Sequence, residues 1–170
     1  MRRVLVIGCG GAGKSTLAAR LAERTTLPLI HLDQHFWGAG WKASEAAEWR
    51  DRVSALAALP AWIMDGNYSA SYDIRMPRAD TLVWLDYPRA VCMRRVLWRT
   101  LRDFGRTRRD SHEGCREHFD IAFLRYVWEF PVKHRSRIVR AIDAYGSHLR
   151  LARFPTDADA NAFLATVGTD

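Results

Sequence analysis

The segment Gly8-Cys9-Gly10-Gly11-Ala12-Gly13-Lys14-Ser15 fits the pattern G-x-x-x-x-G-K-[ST] in full. Its glycines let successive backbone N–H groups converge on phosphate oxygens, and a helix starting at Lys14 adds the partial positive charge of its N-terminus. Lys14 reaches the β and γ phosphates, and Ser15 offers a hydroxyl oxygen to Mg²⁺, a hard ion that takes oxygen ligands. A glycine-rich turn that bound nothing would not need a lysine and a serine at these two positions. The residues expected to hold ATP are Gly8, Gly10, Gly11, Ala12, Gly13, Lys14, Ser15 and Thr16.

A second pattern lies between Arg89 and Gly105. Arg95, Arg99, Arg102 and Arg106 recur at helical spacing, while Met93, Val96, Leu97, Leu101 and Phe104 share another face. Guanidiniums in a row repel one another unless an anion neutralises them, and their planar fork suits bidentate contact with phosphate. Carboxylates of neighbouring helices are the other candidate partners. The chain carries 26 Lys+Arg against 19 Asp+Glu, and between Arg89 and Arg140 there are 14 basic and 6 acidic residues. Such a local positive field fits polyphosphate in a cleft, a nucleic-acid backbone, or a solvated helical face.

These residues need elements to hold them. Arg3 to Ile7 is an apolar run that reads as a buried parallel strand, followed by a helix from Lys14 to about Arg24 burying Leu17, Ala18 and Leu21. Residues 28–32, 61–64, 81–85 and 148–154 read as four further strands. Between them, a polar-aromatic loop runs through Trp37 and Trp41. Ser44 is the expected N-cap of a helix burying Trp49, Val53 and Leu56. Residues 106–116, with Arg106, Arg108, Arg109 and Gly114, read as a loop that moves. Helices follow at about 117–130 and 132–145 with Pro131 at a kink or break, and Thr156 opens the last helix with Asp159 in a capping box. Strands alternating with helices predict a parallel α/β sheet whose ligands bind at the carboxyl ends of the strands. That places Gly8, Asp33, Asp65 and Asp86 on one edge.

At 170 residues the chain suits one domain. No apolar stretch approaches a membrane span. Only four apolar residues follow Met-Arg-Arg before the glycines, too few for a secretory signal, so the expected location is the cytoplasm. Cys9, Cys92 and Cys115 form no C-x-x-C pair and read as reduced thiols. A GTPase would carry N/T-K-x-D, a transporter ATPase L-S-G-G-Q, and a hexameric motor would be longer; the sequence shows none of these.

Over nearly its full length the chain resembles the small P-loop kinases of the adenylate kinase and shikimate kinase type, and most of all the bacterial topology modulation proteins. The matching segments are GCGGAGKST, LPLIHLD, WIMDGNYS, and TLVWLDYP followed by RRVLWR. The resemblance implies a three-layer P-loop NTPase fold: a five-stranded parallel sheet in a single domain over 1–170, with an Arg-rich, lid-like helical insertion at 103–131. It implies that Asp65 holds Mg²⁺ through water together with Ser15, and that Arg95 and Arg99 clamp the donor phosphates. Asp33 resembles the acid of shikimate and gluconate kinases that orients the acceptor hydroxyl, with an N-cap or magnesium-side role as its alternative. His31 and His35 beside it read as structural. Trp37, Trp41 and Tyr68 could stack on a base or ring, and Trp49 reads as core.

Two departures bear on the acceptor. Asn67, Tyr68 and Ser69 stand where adenylate kinases carry Phe-Pro-Arg, and the Thr-Gly-Asp-x-x-x-Arg segment is replaced by Leu32-Asp33-Gln34-His35-Phe36. Both changes remove acceptor contacts and argue against AMP. The expected activity is ATP-Mg²⁺-dependent phosphoryl transfer, with Lys14, Asp33, Arg95 and Arg99 as catalytic residues. The expected partners are ATP and a small acceptor, with no membrane, in a monomer or homodimer. The alternative is an ATP-binding protein that contacts DNA and alters its topology.

Overall fold

The structure is a computed structural model that describes residues 1–108 and 110–168. β1 (Arg3–Gly8) leads into α1 (Lys14–Thr25), and β2 (Leu29–His31) into α2 (Leu32–Phe36). A small hairpin, β3 (Trp37–Gly38) and β4 (Lys42–Ala43), precedes α3 (Ala46–Ala58). β5 (Trp62–Asp65), α4 (Tyr72–Arg75), β6 (Thr81–Leu85) and α5 (Arg89–Asp103) follow. The chain then forms α6 (Ile121–Glu129), a π-helical turn (Phe130–His134), α7 (Arg135–Tyr145), β7 (Arg150–Phe154) and α8 (Asp157–Thr166).

The expected five-stranded parallel sheet is present, in the order β2-β5-β1-β6-β7. β1 lies at its centre because Val4, Leu5, Val6 and Ile7 are fully buried, as a strand covered on both faces requires. β7 is an edge strand, and its Arg150, Leu151 and Arg153 are exposed. Leu17, Ala18 and Leu21 of α1 enter the core as their spacing predicts. Thr156 caps α8, its hydroxyl accepting from the Asp159 amide at 3.3 Å. No helix of the described residues is long and apolar enough to cross a membrane.

Several local expectations are corrected. Glu45, not Ser44, stands at the N-cap of α3, because the Ser44 hydroxyl donates to the Phe36 carbonyl at 2.7 Å. Trp49 and Val53 are buried there, but Ala57 takes the place expected for Leu56. On α5 the buried stripe is Cys92, Val96 and Thr100, rotated from the expected apolar face, and Leu101 and Phe104 are 66% and 62% exposed. α6 starts at Ile121 behind an Asp120 cap, so Phe119 precedes it and is exposed. Of the kink or break expected at Pro131, the break does not occur: a wider π turn joins α6 to α7 and absorbs the missing N–H. The 106–116 segment contains a bridge between Thr107 and Arg116. Arg109 lies outside the described residues.

Candidate functional site

The carboxyl ends of β1, β2 and β5 open on a cleft of about 1350 Å³. Gly10, Gly11, Gly13, Lys14, Ser15 and Thr16 form its floor. Gly11 has φ +80°, and a Cβ there would collide with the Cys92 carbonyl oxygen, so the loop can lie flat on α5 only as glycine. The amides of Gly11, Gly13, Lys14 and Ser15 have no acceptor among the described residues, leaving four donors at the start of α1 for an anion. Gly8 and Ala12 do not face the cleft. The Gly8 amide donates to Asn67 Oδ1 at 3.0 Å and that of Ala12 to the Cys9 carbonyl at 3.1 Å. Lys14 folds back, its Nζ 3.0 Å from the Cys9 carbonyl oxygen.

Asp65, the last residue of β5, is buried and adjoins His31 across the β2–β5 register. His31 Nδ1 lies 3.0 Å from Asp65 Oδ2, while Asp65 Oδ1 is buried without a partner among the described residues. Burial works against charge on His31, but the Asp65 hydrogen bond and the Asp65, Asp110 and Asp33 charges outweigh it, so its pKa stands above the ordinary value. No group of three or more His, Cys, Asp or Glu among the described residues could hold a metal ion. The Ser15 hydroxyl and the Asp65 carboxylate would suit a hard ion that keeps most of its waters and takes phosphate oxygens, such as Mg²⁺.

Asp33 is displaced from the expected strand end, because β2 stops at His31 and Asp33 belongs to the first turn of α2. It still lines the cleft. The Tyr68 hydroxyl donates to its Oδ1 at 2.5 Å and itself takes a hydrogen bond from Trp37. Burial raises the Asp33 pKa, with the Tyr68 hydrogen bond and the Lys14 and Arg108 charges opposing it. Tyr68 is held at φ +35°, a strained conformation for a side-chain-bearing residue. The fully buried Arg75 holds it there, donating to the carbonyls of Gly66, Asn67 and Tyr68 and to Ser71 Oγ. Trp37, Trp41 and Tyr68 face the cleft, whereas Trp49 is core.

The arginine row splits by partner. All four members line the cleft, but Arg95 pairs with Asp157 and lies over the Tyr87 ring, and Arg99 pairs with Glu117 at 3.2 Å. Arg102 pairs with Asp103 at 2.8 Å, and Arg106 makes no ion pair among the described residues. The protein's own carboxylates thus stand where an anion was expected. Asp86, the fourth acid of the edge, is taken by Arg135 and Arg153, both of which lie over the Trp84 ring, and does not line the cleft.

Three residues of the 104–120 segment were not singled out by spacing. Arg108 reaches Asp110 and Glu117, each at 3.4 Å; Asp110 accepts from Ser15; and the buried Glu117 joins Arg99, Arg108 and Thr100. This segment rests on the β3–β4 hairpin, with Trp41 Nε1 donating to the Arg116 carbonyl at 3.0 Å and Gly40 N to the Gly114 carbonyl at 3.3 Å. Only the loop's arginine content could have marked Arg108, since its aim depends on that long-range docking.

Solved structures share this fold over almost the whole chain. A shikimate kinase from Bacteroides thetaiotaomicron superposes with a TM-score of 0.56 at 17% identity, covering 96% of this chain and 94% of its own. The shikimate kinase of Acinetobacter baumannii, in complex with shikimate, gives 0.57 at 13% identity, covering 97% and 89%. A gluconokinase from Sinorhizobium meliloti gives 0.55 at 16% identity, covering 96% and 91%. The fold is that of the P-loop kinases. No family model and no curated protein matches the sequence. At these identities the P-loop kinase likeness concerns the fold, and the chemistry rests on the side chains of the cleft.

Proposed function

We propose that the protein transfers the γ-phosphoryl group of ATP to a hydroxyl of a small acceptor. One observation carries this reading: free loop amides, Lys14 and Asp33 line one cleft, together with Arg99 of α5 and Arg108 of the segment that follows it. The acceptor oxygen forms a bond to the γ phosphorus as the bond to the β–γ bridging oxygen breaks, ADP leaves, and the hydroxyl proton passes to Asp33. A raised pKa makes Asp33 a better proton acceptor than an ordinary carboxylate. The loop amides and Lys14 hold the β and γ phosphates. Arg99 and Arg108 meet the transferring group when it displaces Glu117. Mg²⁺, held by Ser15 and through water by Asp65, neutralises phosphate charge when bound.

In this reading the 103–131 region acts as a lid, excluding water that would otherwise hydrolyse ATP. The test is a screen of sugars, hydroxy acids, nucleosides and nucleotides for acceptor-dependent ADP release. Slow hydrolysis unaffected by every acceptor would overturn it. The topology-modulation reading has less support, because seven of the thirteen described basic residues from Arg89 to Arg140 are spent on internal ion pairs.

A further inference from the structure

A serine hydroxyl has one proton and two lone pairs, and it offers its oxygen to a cation only when the proton is taken elsewhere. Ser15, Asp65 and Asp110 all line the cleft. Asp65 is the strand-end acid, but its Oδ2 is engaged with His31, and among the described residues no hydrogen bond joins it to Ser15. The Ser15 hydroxyl donates instead to Asp110. Asp65 Oδ1 is left buried and without a partner among the described residues, an independent sign that a cation belongs beside it. The charge of Asp110 is felt at His31, the partner of Asp65.

Asp110 does not belong to the floor of the cleft. It stands in the segment between α5 and α6, just beyond Arg108, with which it pairs at 3.4 Å and which also reaches Glu117. That segment is fastened to the β3–β4 hairpin through Trp41 and Gly40. The acceptor that sets the Ser15 hydroxyl therefore arrives with the segment above the cleft, whereas the amides that wait for phosphate belong to the floor itself. A residue that directs the hydrogen bond of a metal ligand contributes roughly 10- to 100-fold to metal affinity.

We propose that Asp110 is a positioning residue of the ion site: it accepts the Ser15 hydrogen bond, turns the hydroxyl's lone pairs to the ion, and makes ion binding depend on the docked 104–120 segment. This rests on the phosphotransferase reading above, and the test separates the two. Wild type and variants are titrated with a non-hydrolysable ATP analogue in metal-free buffer, which reports on the nucleotide site alone. The complexes are then titrated with Mn²⁺, which like Mg²⁺ takes oxygen ligands, and the free ion is read by electron paramagnetic resonance. Asp110→Ala is expected to weaken Mn²⁺ binding by roughly tenfold or more, with metal-free analogue affinity held within about twofold. Asp110→Asn keeps an acceptor for the Ser15 proton and recovers most of that loss. Should Asp110→Ala not fold, Asp110→Leu makes the same comparison at a volume nearer the original. If the analogue binds only with the ion present, the Mn²⁺ concentration at half-saturation is compared instead. Wild-type Mn²⁺ affinity in the Ala or Leu variant overturns the proposal. So does a parallel loss of metal-free analogue affinity, the mark of an Asp110 that only holds the segment and its Arg108 in place. An Asn variant as weak as the Ala variant overturns it too, because charge and not the hydrogen bond would then be at work. An analogue that binds neither with nor without Mn²⁺ removes the nucleotide reading, and this proposal with it.

Discussion

Replacing Arg99 by alanine separates a phosphate clamp from a structural ion pair, provided its partner is varied too. Arg99 is three-quarters buried and pairs with Glu117, whose side chain is only 7% exposed. Removing the guanidinium leaves a buried carboxylate with two remaining partners, Arg108 at 3.4 Å and the Thr100 hydroxyl at 3.1 Å. Stripping a buried charge of its partner costs about 3 to 5 kcal/mol when nothing replaces it. With Arg108 still in place, the expected loss is about 1 to 3 kcal/mol. For a chain of this size that lowers Tm by roughly 2 to 10 °C. Adding Glu117→Gln removes the stranded charge and should recover most of that loss. Turnover should not recover, because a guanidinium aimed at a transferring phosphoryl group contributes in the transition state, and its loss lowers kcat by roughly 10²-fold. Thermal melts and initial rates per folded molecule, taken for the single and double variants, test this. If the double variant regains both Tm and turnover, Arg99 serves only to hold Glu117, and the clamp is withdrawn.

Three further outcomes follow from the same geometry. Lys14→Ala removes a cation whose hydrogen bond among the described residues goes to the Cys9 carbonyl, so calorimetry should show ATP affinity reduced by roughly tenfold or more with Tm nearly unchanged. Asp33 must be ionised to take a proton, and its pKa is raised, so the rate should fall as pH drops through a value above the ordinary ~3.9. A raised carboxylate pKa also means that the folded state binds the proton more tightly, so stability declines as pH rises through it. Asp33→Asn should therefore match or exceed the wild-type Tm at pH 8 while losing turnover, and a lower Tm there would contradict the raised pKa. Arg75→Met leaves three carbonyls of the Gly66–Tyr68 loop without their donor and should cost about 3 to 5 kcal/mol in urea unfolding.

The sheet and the phosphate loop were legible because local signals carry them: an apolar run before glycines, a Lys-Ser pair at fixed spacing, and a threonine cap at α8. What was not legible depends on partners distant in the chain. Asp86 sits at a strand end like Asp65, yet only the fold shows that Arg135 and Arg153 reach it. Arg95 and Arg99 were correctly placed on one face, but their carboxylates lie 62 and 18 residues away. The α5 core stripe was misread because Thr100, hydrogen-bonded to the buried Glu117, takes a position that an apolar residue would ordinarily mark. His134 and Arg137 carried no signal at all, since nothing in their spacing shows that the π turn and α7 bring them to the cleft.

Asn67 closes the end of β1 with its side chain, its amide giving to and taking from Gly8 as a neighbouring strand's peptide would. The backbone of that segment is thereby released from the sheet and turns at once into the strained bend at Tyr68. So long as an amide of that reach stays at position 67, changes in the residues after it leave the end of the strand that feeds the glycine-rich loop with its side-chain partner.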